Sequence, residues 1–199
     1  MKEKFSLHVL GLYLDKIERA FMLDPKDLSK LHHKEIAAAI NRHAYDAAIS
    51  SCQKVLESDR DDIEAHYQLG VAYLGSRMMA EAISSFKKVL DLDPNRAGAH
   101  YRLGVLYDKT GKLDDAVKSF KKAIELEPKR ADFYYALGIA QDKNGEQKKA
   151  IESLSKATKL APDVDKYHYR LGLIYDQQGQ HDKAVEAFKK ASEAEEVAA

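Results

Sequence analysis

Tryptophan is absent from this chain and cysteine occurs once, as Cys52. A lone cysteine excludes a disulfide within the chain, which fits a reducing compartment. The 4 prolines and 10 glycines form no Pro/Gly-rich linker, so no second, independent domain is expected. Charge of one sign is not in excess. The 32 Lys+Arg balance 32 Asp+Glu, whereas a general nucleic-acid binder carries a basic surplus. Long apolar runs are missing too. The longest, Phe5 to Leu14, is interrupted by Ser6 and His8. It falls short of the roughly 20 residues a membrane span needs. No small-residue cleavage site follows it, so it does not read as a signal peptide. There is no HExxH, no Gly-rich phosphate loop and no GxSxG. Nothing therefore supports an enzyme, and no cofactor or metal is expected.

What the chain has is repetition. Gly70, Gly104, Gly138 and Gly172 stand 34 residues apart. Each lies in a helical pattern, where Gly costs about 1 kcal/mol relative to Ala. Four such losses at one period need a shared cause, and close approach of two helix backbones is the expected one. Around them Leu69, Leu103 and Leu171 recur, as do Tyr73, Tyr107 and Tyr175. Downstream come Ala82, Ala116 and Ala150, then Phe86 and Phe120, then Pro94, Pro128 and Pro162. The period and the order L-G-x-x-Y, Ala, aromatic, Pro resemble the tetratricopeptide repeat (TPR). The resemblance implies an all-α fold in which helix-turn-helix units stack into a right-handed superhelix, an α-solenoid. It also implies a protein-interaction scaffold that binds peptides or partner proteins in a concave groove.

The expected units are 1–28, a half repeat; 29–62, a degenerate repeat; then 63–96, 97–130, 131–164 and 165–199. Met1 to Leu23 reads as one amphipathic helix, with Leu7, Leu10, Leu14, Ile17 and Phe21 at three- and four-residue steps. Asp27 is the candidate cap of the next helix, and Asp61 with Glu64 has the spacing of a capping box. In the degenerate unit Ile36 replaces the glycine and Cys52 the aromatic, so looser packing is expected there. Cys52 reads as a buried small hydrophobe. The left-handed residue between paired helices falls on Gly111, Gly145 and Gly179. The same place holds Arg77 in the earlier unit, where Gly75 is the expected substitute. The chain reaches EAEEVAA without the extra polar helix that often covers the last TPR, which leaves one flank of 181–197 uncovered.

With repeats numbered from Ile63, Ala97, Ala131 and Asp165, position 5 is Tyr67, Tyr101, Tyr135 and Tyr169, and position 12 is Leu74, Asp108, Asp142 and Asp176. Seven residues are about two helical turns, so each Tyr shares a face with its Asp. In the TPR family that face lines the groove. A tyrosine ladder with an acidic edge suits Lys- or Arg-bearing peptides; the same ladder can also be plain packing. The carboxylate clamp of chaperone-binding TPRs, Lys at position 5 and Asn at position 9, is not matched: position 9 holds Ala37, Val71, Val105, Ile139 and Leu173. His32, His66, His100 and His168 share position 4, but stacked helices stand about 8–10 Å apart, too far for one shared metal. They read as packing histidines.

The half repeat, degenerate repeat and regular copies, in that order, resemble the magnetosome-associated branch of the family. That branch implies a cytoplasmic protein, peripheral on the magnetosome membrane through partner proteins, that self-assembles as a coat. For self-association the residues are Leu10, Leu14, Lys16, Ile17, Arg19 and Phe21, which either cap their own array or enter a neighbour's groove. An adaptor subunit of a bacterial secretion or envelope-assembly complex is the alternative.

Overall fold

The computed structural model describes residues 25–198, all of whose regular elements are helices. These are α1 (Pro25–Asn41), α2 (Tyr45–Ser58), α3 (Ile63–Gly75), α4 (Met79–Leu92), α5 (Ala97–Lys109), α6 (Leu113–Leu126), α7 (Ala131–Lys143), α8 (Gln147–Leu160), α9 (Asp165–Gln177) and α10 (His181–Ala198). The stripe Leu10 to Phe21, proposed above for self-association, lies outside the described residues. Four helices begin at Ile63, Ala97, Ala131 and Asp165, where the repeat numbering starts. No described helix is long and apolar enough to cross a membrane. The chain divides into two compact units, one ending at Ala82 and one starting at Ile83.

In the first unit α1, α2 and α3 close over Ile36, Ala39, Ala48, Cys52, Val55, Leu69 and Ala72. The degenerate pair is not loosened: Ile36 and Cys52 are both 0% exposed. Where the regular units set a Gly against a large side chain, Phe120, Leu154 or Phe188, this one sets a large residue with a small one, which keeps the volume filled. Two caps differ from expectation. α1 starts at Pro25, so Asp27 sits within it, proline being suited to a first helical turn. α3 is capped by Asp62, which accepts from the Ala65 amide at 2.8 Å; Asp61 instead donates its amide to Asp59.

In the second unit α5 pairs with α6, α7 with α8 and α9 with α10, and each pair leans on the next. Phe120 of α6 sits with Ala116, Val117, Leu137 and Ala140, so it packs under α7. Leu154 of α8 sits with Leu171 and Ile174 of α9 in the same way. The glycines make room for these side chains. A methyl on Gly104 would meet the Phe120 ring at 2.6 Å, and one on Gly172 the Phe188 ring at 2.6 Å. A methyl on Gly138 would meet Leu154 at 2.7 Å and the Ala150 carbonyl only at 3.2 Å. The expected backbone-to-backbone approach is thus mainly a ring or branched side chain lying against the bare backbone.

Paired helices are joined by a Schellman turn. Gly111 at φ +76° donates to the Asp108 carbonyl at 3.2 Å, and Lys112 to Tyr107 at 2.9 Å. In the first unit His43 and Arg77 take the left-handed conformation themselves, at φ 59° and 62°. Gly75 does not substitute; it ends α3, against the Tyr45 ring.

Candidate interaction surface

The position-4 histidines tie helix starts to the turns before them. Nε2 of His66 donates to the Arg60 carbonyl at 2.8 Å, that of His100 to Pro94 and that of His168 to Pro162, both at 2.9 Å. That bond orients each ring toward its own turn, so these histidines do not converge. Among the described residues no group of three or more His, Cys, Asp or Glu is placed to hold a metal ion.

The position-5 tyrosines stand on their predicted helices in different surroundings. Tyr101 is half-buried, 5.7 Å from the Phe120 ring and stacked on Phe133 at 4.9 Å. Burial, and then the Asp132 charge, push its phenol pKa up. Tyr135 lies 4.9 Å from Tyr167, whose pKa is raised by the same two causes in the same order. Tyr169 is 55% exposed beside Phe188. Tyr67 is half-buried in the first unit.

The aspartates are not a free acidic edge. Asp108 accepts from Lys143 Nζ at 2.7 Å, and Asp142 from the Arg170 guanidinium at 2.7 Å. Each cation comes from the next repeat, 35 and 28 residues away. Asp176 meets only the exposed His181 of its own repeat, at 2.9 Å. The expected acidic edge is therefore a row of internal ion pairs with one carboxylate still open to solvent at its end.

Several residues that shape this surface escaped sequence reasoning. Position 3 changes from Ala65 and Ala99 to Phe133 and Tyr167; Phe133 stacks on Tyr101 and Tyr167 lies tilted against Tyr135. Arg130 lies 4.5 Å from the Phe133 ring centre while chelating Asp132 at 2.9 and 2.7 Å; that hydrogen bond pushes its pKa up. Lys166 Nζ stands 5.7 Å from the Tyr135 ring centre and 5.5 Å from that of Tyr167. The size change at position 3 was the available signal. Gln141, where the other regular copies have Tyr, accepts from Ser153 at 2.6 Å in the buried interior. In the first unit a separate cleft of about 930 Å³ between α1 and α2 carries both signs of charge, from Lys30 and Lys54 to Asp59 and Asp62.

These repeated pairs, glycine against ring and histidine against carbonyl, coincide with family matches. The tetratricopeptide repeat matches at residues 73–119 and 135–196, and the TPR repeat at 106–145. The chain belongs to the tetratricopeptide-repeat family. It is an all-α solenoid of such repeats and, as in that family, a protein-interaction scaffold. Among solved structures it is similar to a MamA crystal structure, with 35% identity over 80% of this chain and 93% of that one and a TM-score of 0.76. It is also similar to MamA 41-end from Desulfovibrio magneticus RS-1, with 30% identity over 84% and 95% and a TM-score of 0.79. YrrB, described as a TPR protein with an unusual peptide-binding site, shares the fold at 22% identity over 82% and 84%, with a TM-score of 0.70. No curated protein sequence matches the chain.

Proposed function

We propose that this scaffold binds an extended or helical peptide along the ladder of Tyr101, Tyr135 and Tyr169 in the second unit, and that it assembles with itself as a magnetosome-associated coat. The observation that carries the peptide reading is the run of ring pairs beside ion pairs. The half-buried Tyr101 and Tyr135 rings, backed by the buried Phe133 and Tyr167, offer apolar area edged by hydroxyls. Because Lys143 and Arg170 neutralise Asp108 and Asp142, aromatic stacking and hydroxyl hydrogen bonds dominate recognition there. A basic side chain is favoured only toward Asp176. The likeness to MamA supports the coat reading, with the membrane reached through other proteins.

A random displayed peptide library, selected against the purified chain, supplies the probe. In the Tyr101→Phe, Tyr135→Phe variant both rings still stack and the unfolding midpoint is unchanged. The strongest selected peptide then binds about tenfold more weakly, the effect of two lost hydrogen bonds. Affinity held within about twofold would move the site off the ladder. For the coat reading, the chain is expected in the magnetosome fraction of lysed cells, releasable without detergent. Recovery only in the soluble fraction would count against it.

A further inference from the structure

Inside the second unit each repeat roofs the one before it, and the joint is made twice. Position 3 of the covering helix lies against the earlier tyrosine, Phe133 on Tyr101 and Tyr167 on Tyr135, with ring centres 4.9 Å apart. Positions 7 and 10 pack on position 21 of the pair below: Leu137 and Ala140 on Val117, Leu171 and Ile174 on Ile151. A cation from the same helix meets the position-12 carboxylate, Lys143 at Asp108 and Arg170 at Asp142, both at 2.7 Å. Val117 is left 7% exposed, and the two aspartate side chains 19% and 11%. α9 and α10 present this surface a third time, already shaped. Tyr169 holds its ring 5.5 Å from Phe188 at 50°, matching Tyr101 on Phe120 at 5.7 Å and 51°. Among the described residues nothing roofs it. Val185, at position 21, is 67% exposed, and the Asp176 side chain 58%. Phe188 is half-buried where Phe120 and Leu154 are enclosed. A seat formed before its occupant arrives lowers the ordering cost of binding.

The helices already seated state what fits. Each brings an aromatic, an apolar residue four positions on and a second apolar or small one seven on, with a cation three or ten on. In α7 these are Phe133, Leu137, Ala140 and Lys143; in α9 they are Tyr167, Leu171, Ile174 and Arg170. The charge sign fits as well, since Asp176 meets only the exposed His181. We infer that α9 and α10 seat an amphipathic helix of another protein that carries this pattern, lying as a further first helix with its aromatic on Tyr169, its apolar pair over Val185 and its cation at Asp176. Such a helix is recognised by side chains spaced along one face. The seat is on the flank of the array, and Val185 lies outside the tyrosine ladder.

The probe is a labelled synthetic peptide with the α9 sequence, Asp165–Gln177, added to the purified full chain and followed by fluorescence anisotropy. Saturable binding is expected. Val185→Asp weakens it at least about tenfold, because docking would bury an unpaired charge. Asp176→Lys weakens it about tenfold, and an Arg170→Asp peptide binds that variant to within about threefold of the parent pair, since the swapped charges still attract. Val185 is exposed, so Val185→Asp keeps the helical circular dichroism and the unfolding midpoint. It also binds the peptide selected from the library to within about twofold of the parent chain. Absence of saturable binding, or binding that ignores Val185→Asp, overturns the proposal. Equal losses of the probe and the selected peptide would put the probe in the groove, which also overturns it. Light scattering supplies the last check: if Val185→Asp lowers the mass of the chain's own assemblies, a second copy holds this surface and the partner helix is ruled out.

Discussion

Gly104 has no room for a methyl group because the Phe120 ring occupies it. Gly104→Ala therefore costs about 1–3 kcal/mol by overpacking, less the gain in helix propensity. In a Phe120→Ala background the obstacle is gone and the same change becomes stabilising by up to about 1 kcal/mol. Urea unfolding of the four proteins measures this; an equal cost in both backgrounds would show that backbone, not ring, sets the limit. Arg77 presents the opposite case. Its φ of 62° costs an L-residue about 1–2 kcal/mol. Arg77→Gly should raise the thermal midpoint despite the extra entropy glycine brings to the unfolded chain, and a lower midpoint would contradict the strain.

The pair α1 and α2 shows how one element tolerates a broken motif. Ile36 stands where regular units have glycine and Cys52 where most have phenylalanine, and both are fully buried in one cluster. If the exchange is compensatory, the sites are coupled. Ile36→Gly alone should cost about 3–5 kcal/mol through a cavity and lost propensity, and Cys52→Phe alone about 1–3 kcal/mol through overpacking. The double variant should cost at least about 1 kcal/mol less than the sum. Additivity in denaturant unfolding would mean the two merely coexist.

At the scale of the whole molecule, stability depends on neutral acids that burial keeps protonated. Burial first, and the Asp62 charge second, push the Cys52 thiol from 9.0 up to about 12. The Tyr101 and Tyr167 phenols are raised above 10.0. A raised pKa means the folded chain holds its proton longer than the unfolded one. This contribution is complete below the unfolded values and is lost as pH rises. The urea midpoint should therefore hold to about pH 9 and fall from there toward about 12, with the phenols adding to the fall above 10. Cys52→Ala should flatten the first part of that fall. A midpoint constant to pH 11, or a native Cys52 that reacts freely with a thiol reagent at pH 8, would contradict it.

The period of 34, the helix starts and the left-handed glycines were legible because each follows from local rules: 3.6 residues per turn and the φ range of glycine. Burial of Cys52 was legible from its register with Phe86 and Phe120. The ligands of the aspartates were not. Lys143 and Arg170 sit at different repeat positions, 13 and 6, yet both reach the position-12 carboxylate of the repeat before. Which long cation arrives depends on how neighbouring helices pack, not on spacing within one helix. Phe120 against Gly104 and Phe133 on Tyr101 belong to the same class. Sequence set which residues each helix presents; packing between helices decided which of them meet, because those contacts join residues that no local rule relates.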